Sequence, residues 1–426
     1  MSPEGGRHRN RVAVALLCLA TANTTVLRTA FSPVQEMAKL DLRLSDFQVS
    51  LIQGLAVAIP IGLLSVPVGR LVDRVNRVRL LVLLILVCLL GTALTAFARG
   101  IATIFVGRML LGFGQISSLP VAISIAADLS EPDRRGRALL ALSLGVYGGA
   151  AIAFAVAGWL SVALTTARFA WLAPAHLHPW RAVHVVVGLA SAVSLLTLFW
   201  LREPARTELG ATAHSTVGPA LRELWKRRRF LIPLFIGQVS VMMADTAANI
   251  WASPVLVRNY GLQPAQFGGW MGLVVLASGA LGTVVGGYVA DLGHRLPFRG
   301  GIIGGAMLAA AIAVPAAFFP VMPSVGGFGA MFGIFQFCGA AIGLGTATAI
   351  AVLLPNELRG VALSGIFVLS SIVAFGVTPT LVTLLSTALG GDAYLARSLS
   401  LTGVAIGAIS LLAFILAMTQ APRRPS

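Results

Sequence analysis

The chain has 426 residues, of which 57% are apolar and 11% charged, and its mean hydropathy is +0.89. Soluble globular domains are about 45–50% apolar, so this composition excludes a protein whose whole surface faces water. The net charge of +16 would suggest nucleic-acid binding in a soluble protein, but membrane proteins gather Lys and Arg on their cytoplasmic side. Composition therefore favours an integral membrane protein and argues against a nucleic-acid partner.

Long apolar stretches follow one another along the whole chain. A membrane-spanning helix needs about 20 mostly apolar residues to cross a hydrocarbon core about 30 Å thick. The pattern predicts an all-α membrane protein with twelve transmembrane helices. In chain order, the predicted spans 1 to 12 are residues 11–34, 47–68, 78–97, 101–127, 136–164, 181–201, 230–256, 264–290, 300–319, 325–352, 361–388 and 395–419.

The basic residues set the predicted orientation. If the chain crosses the membrane twelve times, the loops between spans lie alternately on the two sides. Most of the 31 Lys and Arg residues fall in the termini and loops on the side of the N-terminus. Because Lys and Arg near span ends are retained in the cytoplasm, both termini are predicted to be cytoplasmic. The expected location is the plasma membrane, in bacteria the inner membrane, with the protein acting as a monomer among membrane lipids.

An internal repeat relates the two halves of the chain. Gly69, Asp73 and Arg77 stand at intervals of four residues after span 2, and Gly287, Asp291 and Arg295 repeat those intervals after span 8. "RGRAL" before span 5 returns as "RGVAL" before span 11. Such duplication is typical of transporters built from repeated bundles. It predicts two pseudo-symmetric six-helix halves, 1–201 and 230–426, joined by a cytoplasmic linker, 202–229, that forms an interfacial helix or loop.

These features resemble a known family. Twelve spans in two homologous halves, with "GRLVDRVNR" after span 2, are similar to the major facilitator superfamily over the whole chain. Asn76 stands where that family's loop usually has a second glycine, and asparagine is expected to tolerate the left-handed turn.

A narrower resemblance links the chain to the spinster-like branch of this family. "LRLSDFQVSLIQGLA", "GRMLLGFGQ", "PDRRGRALLALSLGVYGGA" and "LREPAR" resemble that branch, which implies export or flipping of lysolipid-type amphiphiles. The branch usually carries an acid in span 1 and another in span 4. Here the matching positions are Leu27 and Gln115, so both acids are missing.

The charged turn after span 2 is predicted to act as a gate. Asp73 can accept hydrogen bonds from the positive N-terminal end of a helix in the other half while it pairs with a neighbouring arginine. Such a latch closes the cytoplasmic face in one state and breaks in the other. In the alternative interpretation, the arginines only follow the positive-inside bias. The gating candidates are Gly69, Asp73, Arg74, Arg77, Gly287, Asp291 and Arg295.

Three charged residues fall deep inside predicted spans, away from the span ends: Arg28, Arg108 and Asp245. A charge near the bilayer centre costs at least about 2.5–3.5 kcal/mol unless it faces a cavity or a partner. The resemblance implies that spans 1, 4, 7 and 10 line one central cavity. Asp245 could take up and release a proton, or it could be a fixed partner of Thr246 or Asn249. The arginines could hold an anionic headgroup, or Arg108 could bind backbone carbonyls and fix span 4.

Further polar residues inside the spans are candidate cavity residues. Each of them could instead hydrogen-bond one helix to another. They are Asn23, Gln53, Gln115, Tyr147, Gln238, Asn249 and Gln336.

No catalytic, metal or cofactor site is predicted. The chain has neither a Gly-x-Ser-x-Gly nucleophile motif nor a phosphate loop ending in Gly-Lys-Ser/Thr. Its three cysteines lie inside spans without metal-ligand spacing. The chain is therefore predicted to be a transporter that uses gradients.

The predicted function is secondary active transport by alternating access, coupled to protons. The predicted cargo is a small amphiphilic or anionic organic solute, for example a lysolipid. One alternative is a drug/proton antiporter, although the glycine-rich span 5 "GVYGGAAIAFAVAG" lacks the Gly-Pro pair frequent in such proteins. Another is a sensor or scaffold that has the transporter fold and binds without flux.

Overall fold

The computed structural model describes residues 3–131, 135–166, 177–205, 217–295 and 300–422, and all the regular secondary structure in these residues is helical. Twelve segments are long and apolar enough to cross a membrane. The predicted fold class and number of spans are therefore confirmed.

The first six spans contain ten helical segments among the described residues. Span 1 comprises Pro3–Thr29 and Phe31–Asp41, and span 2 comprises Asp46–Ser50, a π-helical turn Leu51–Leu55, and Ala56–Arg74. Spans 3 to 5 are Arg77–Ala96, Ile101–Leu129 and Arg135–Ala163. Span 6 is Pro179–Leu195, which continues as the 3₁₀ turn Leu196–Trp200.

The second half begins with a short helix in the linker, Val217–Lys226. Spans 7 and 8 are Arg228–Tyr260 and Pro264–Arg295. Span 9 is Gly301–Ala316 with a following 3₁₀ turn Phe319–Val321, and spans 10 and 11 are Val325–Leu353 and Asn356–Leu389. Span 12 is the turn Asp392–Tyr394 followed by Leu395–Gln420.

Side-chain caps determine where several spans begin. The Ser45 hydroxyl accepts from the Gln48 amide at 3.2 Å, and Gln48 Oε1 accepts from the Ser45 amide at 2.9 Å, which completes a capping box. Asn76 Oδ1 accepts from the Arg79 amide at 2.8 Å and caps span 3. The expectation of a left-handed turn at Asn76 is wrong, because an N-cap residue adopts extended backbone and its φ is −64°.

The chain forms two compact units. The N-terminal unit consists of Met1–Thr207 and Leu256–Leu276, and the C-terminal unit consists of Glu208–Val255 and Ala277–Ser426. In this division the predicted linker is split between the two units, and the end of span 7 and the beginning of span 8 group with the N-terminal unit. Each unit buries its own apolar core, one around Leu81, Leu84 and Val121 and the other around Leu234, Ile342 and Phe414.

Glycines bring span 5 close to the beginning of span 8 inside the N-terminal unit. A β-carbon added at Gly158 would lie 2.5 Å from the carbonyl oxygen of Pro264, and one added at Gly272 would lie 2.6 Å from that of Ala151. These distances are shorter than van der Waals contact, so the backbones can approach this closely only because side chains are absent. We call this close contact between spans 5 and 8 at Gly158 and Gly272 the seam.

Candidate functional site

In the N-terminal unit, Arg108 of span 4 organises a buried polar cluster. Its side chain is 2% exposed. Arg108 Nη1 donates to the carbonyl oxygen of Arg28 at 2.9 Å, and Nη2 donates to Gln53 Oε1. Gln53 Nε2 in turn donates to Gln35 Oε1 at 2.8 Å. The cluster therefore links spans 1, 2 and 4.

The local backbone supplies the acceptors in this cluster. Arg28 lies in the last turn of the helix Pro3–Thr29, where carbonyl groups lack partners within the helix. Gln53 lies in the π-helical turn of span 2, a distortion that is frequent at functional sites. The Arg108 guanidinium also lies over the Phe31 ring, with its carbon 5.0 Å from the ring centroid.

Arg108 carries its charge into the interior without an acidic partner. Among the described residues, no Asp or Glu lies within ion-pair distance of it. Its known contacts are a carbonyl, an amide and an aromatic ring, which solvate the cation without neutralising it. Its contact with the Arg28 carbonyl makes it a residue that positions Arg28.

Three other predicted cavity residues of the N-terminal unit, Asn23, Gln115 and Tyr147, are not among the residues that contact Arg108. Asn23 Nδ2 donates to the Ser191 carbonyl at 3.2 Å and so links span 1 to span 6. The backbone carbonyl of Gln115 accepts from the Ser118 hydroxyl at 2.8 Å. The side chains of Gln115 and Tyr147 are half-buried.

In the C-terminal unit, Asp245 of span 7 lines a small cavity of about 20 Å³. It is the one charged residue in the lining, which otherwise consists of Val241, Ala244, Ala310, Ala313, Phe335, Gly339, Ile342, Gly407 and Ser410. A β-carbon added at Gly339 would lie 3.8 Å from Asp245 Oδ1, so this carboxylate faces span 10. The Ser410 hydroxyl donates to the Gly237 carbonyl at 3.0 Å.

Spans 7 and 10 are also joined by a pair of amide side chains. Gln336 Nε2 donates to Asn249 Oδ1 at 3.0 Å, and Asn249 Nδ2 lies 3.5 Å from Gln336 Oε1. Asn249 Nδ2 also donates to the Asp245 backbone carbonyl at 2.9 Å. Gln238, about two turns before Asp245 in span 7, is half-buried. The structure thus brings Asp245, Asn249 and Gln336 together.

Arg77, a predicted gating residue, bonds inside the N-terminal unit. It is 3% exposed, and its Nε donates to Glu203 Oε1 at 2.7 Å while Nη1 donates to Asp128. Glu203 Oε2 also accepts from the Val78 amide at 2.9 Å. Arg77 therefore ties the beginning of span 3 to the end of span 4 and to the segment after span 6.

The remaining gating candidates lie near the ends of spans 2 and 8. The side chain of Asp73 lies outside the described part of the structure. Gly69 and Arg74 are exposed, as are Asp291 and Arg295 after span 8. A β-carbon at Gly287 would lie 3.1 Å from a methyl carbon of Leu344.

The sequence analysis missed a cluster of charged residues at the C-terminal ends of spans 1 and 7. Arg258 donates to both oxygens of Glu36, at 2.6 and 2.9 Å, and to both oxygens of Asp46, at 2.6 and 2.7 Å. Lys39 Nζ lies 2.6 Å from Asp46 Oδ1. We call these four residues the Arg258 cluster. Its two bases balance its two acids, and all four belong to the N-terminal unit.

A signal for this cluster was present in the sequence. Both acids flank spans on a side where acids and bases are few, and Arg258 lies at the matching end of span 7. Nothing in the sequence, however, specified which of the neighbouring bases each acid would pair with.

Comparisons with known proteins identify relatives of the chain. A family model described as Major Facilitator Superfamily matches residues 16–338. An MFS-type efflux pump of Mycolicibacterium smegmatis is 26% identical over 300 residues, which are 68% of this chain and 65% of the pump. A Bacillus subtilis relative named for niacin and nicotinamide transport is 22% identical over 44% of either chain. The chain thus spans less than two thirds of the length of these two relatives.

A solved structure has the same fold over the whole chain. It is the crystal structure of a bacterial homolog of the human lysosomal transporter Spinster, in an inward-facing and unoccupied conformation. It matches with a TM-score of 0.82 and 21% identity, and covers 100% of both chains.

Proposed function

Because the chain belongs to the major facilitator superfamily, we propose that it is a proton-coupled secondary transporter of an amphiphilic solute with an anionic headgroup. Family membership and the twelve spans make it an integral membrane transporter and not an enzyme. The coupling ion and the class of solute are the parts that we propose.

The observation that carries this proposal is the cavity at Asp245. An ionisable side chain that lines a cavity inside a membrane span is a candidate site for an ion or a proton. A group of this kind can change its charge when its access to water changes. Asp245 is therefore our candidate for the proton carrier in the transport cycle.

The Arg108 cluster supports an anionic headgroup. Arg108 is held by the Arg28 carbonyl, Gln53 and the Phe31 ring, so we assign it to positioning the end of the first helix of span 1. Arg28, whose backbone it holds, is our candidate for contact with a phosphate or carboxylate. The resemblance to the spinster-like branch makes lysolipids the first solutes to test.

Two charged regions are candidates for the gates that alternating access needs. The Arg258 cluster joins the ends of spans 1 and 7 on the predicted outer side, and the charged end of span 2, which contains Asp73, lies on the predicted cytoplasmic side. We assign the outer gate to the Arg258 cluster. The cytoplasmic latch at Asp73 remains a prediction from the sequence.

The experiment is uptake into proteoliposomes that contain the purified full chain. Lysophospholipids, organic anions and cationic dyes are compared with and without an imposed pH gradient. We expect gradient-driven accumulation of a lysophospholipid or organic anion, and no effect of the gradient in protein-free vesicles. Equal uptake with and without the gradient would contradict proton coupling.

A drug/proton exporter is the second candidate, and the efflux pump among the relatives favours it. This alternative predicts gradient-driven movement of cationic dyes that does not depend on Arg28. A third possibility, a sensor with the transporter fold, predicts saturable binding of a solute without flux. The same vesicle screen, with a binding measurement in detergent, separates all three.

A further inference from the structure

A basic groove lies where span 7 begins and span 12 ends in the C-terminal unit. It has a volume of about 410 Å³ and is lined by Arg228, Arg229, Ile232, Pro233 and Gln420. Both arginines and Ile232 are exposed. The groove therefore combines two cationic side chains with an apolar wall.

The preceding linker helix exposes large apolar side chains beside this groove. Leu221 is 54% exposed and Trp225 is 64% exposed, and their spacing of four residues places them on one side of the helix Val217–Lys226. An exposed Trp and Leu on a short amphipathic helix are typical of a helix that lies in the membrane interface. This arrangement puts the groove at headgroup depth.

The charges around the groove leave its two arginines available to a ligand. Lys226 Nζ lies 2.8 Å from Glu223 Oε2, and the hydrogen bond from Lys226 lowers the pKa of Glu223, so these two groups pair with each other. Arg228 donates to the Trp225 carbonyl at 3.3 Å and lies 5.6 Å from the Trp225 ring centroid. Among the described residues, neither Arg228 nor Arg229 has an acid within ion-pair distance.

We propose that this groove binds the phosphate group of an anionic phospholipid from the leaflet on the predicted cytoplasmic side. Two guanidinium groups match the charge and oxygen geometry of a phosphodiester. Ile232 and Pro233 continue the groove along span 7, where an acyl chain would follow the headgroup. Trp225 keeps the site at the interface, where a lipid is present and a free anion is dilute. The proposal does not depend on which solute the transporter moves.

The test compares short-chain phosphatidylglycerol with short-chain phosphatidylcholine, added to the full chain in a neutral detergent. The readout is the midpoint of thermal unfolding over a titration of each lipid. The test variant is Arg228→Gln with Arg229→Gln. The matched control is Arg11→Gln with Arg79→Gln, which removes two exposed arginines from the same predicted face but from the other unit.

We expect phosphatidylglycerol to raise the midpoint more than phosphatidylcholine for the native chain and the control. Its apparent affinity should fall about 30-fold in the test variant, because each basic side chain at an anionic surface contributes about fivefold. Equal shifts by the two lipids would overturn the proposal. An equal loss in the control, or an equal shift by inorganic phosphate at the same concentration, would overturn it as well.

Discussion

Replacing Arg258 should weaken the proposed outer gate. The guanidinium makes four contacts of 2.6–2.9 Å with Glu36 and Asp46. Arg258→Gln would leave two carboxylates facing each other with only Lys39 to offset them. The state in which the ends of spans 1 and 7 meet would then lose its main polar attraction.

The exposure of the side chains in the Arg258 cluster determines how much free energy the substitution costs. Removing one partner of a fully buried ion pair costs about 3–5 kcal/mol, whereas exposed pairs contribute about 0–1 kcal/mol. The side chains of Arg258, Glu36 and Asp46 are 18%, 13% and 5% exposed, so the cluster lies nearer the buried limit. We expect a loss of about 2–3 kcal/mol, which shifts the equilibrium between closed and open outer ends by roughly 30- to 150-fold.

Labelling of single cysteines placed in the predicted outer half of spans 1 and 7 measures this shift in membranes. Arg258→Gln should raise the labelling rate there, and adding Glu36→Gln and Asp46→Asn should reverse much of the change by removing the opposed carboxylates. Arg99→Gln is the matched control, since Arg99 is an exposed arginine on the same predicted side. Labelling of Arg258→Gln at the rate of the Arg99 control would refute the assignment of an outer gate.

Three further changes test the seam and the Arg108 cluster. Gly272→Ala places a methyl group 2.6 Å from a carbonyl oxygen of span 5 and should lower the free energy of unfolding by about 1–3 kcal/mol, which a lower midpoint of thermal unfolding would show. Gly269→Ala is the control, because an added β-carbon there has no heavy atom within 4 Å and should not change the midpoint. Equal effects of the two substitutions would contradict the close packing of spans 5 and 8. Arg28→Gln should weaken binding of an anionic solute by about 1.5–3 kcal/mol, measured by calorimetry, while a neutral analogue binds as before; equal losses would make Arg28 structural. Arg108→Lys should lower thermal stability because an ammonium cannot bond Gln53 and the Arg28 carbonyl together, and an unchanged midpoint would show that these contacts contribute little.

The hydropathy pattern was sufficient to predict the spans because membrane insertion depends on local composition. The repeat of Gly69, Asp73 and Arg77 indicated the family, which the family model confirms. Asp245 could also be singled out, since an acid inside a long apolar run is rare enough to require an explanation. Its cavity could not be predicted, because the lining comes from spans 7, 9, 10 and 12.

Contacts between distant segments escaped prediction for a physical reason. Arg258 and Glu36 are more than two hundred residues apart, and their pairing depends on how helix ends meet. The gating role of Arg77 stays a prediction, and its bonds to Asp128 and Glu203 could not be foreseen because they depend on where spans 4 and 6 end. At Asn76, the family comparison suggested a left-handed turn, whereas the need to cap span 3 determined the backbone.

Proton coupling through Asp245 is tested most directly by uphill transport in proteoliposomes that contain Asp245→Asn. The amide keeps the shape of the side chain but cannot bind and release a proton. Asp392→Asn, which alters an exposed acid outside the apolar part of span 12, is the matched control. We predict that Asp245→Asn abolishes accumulation driven by a pH gradient while it preserves solute exchange at equal pH, and that the control retains both. Accumulation by Asp245→Asn at the native level would contradict the assignment.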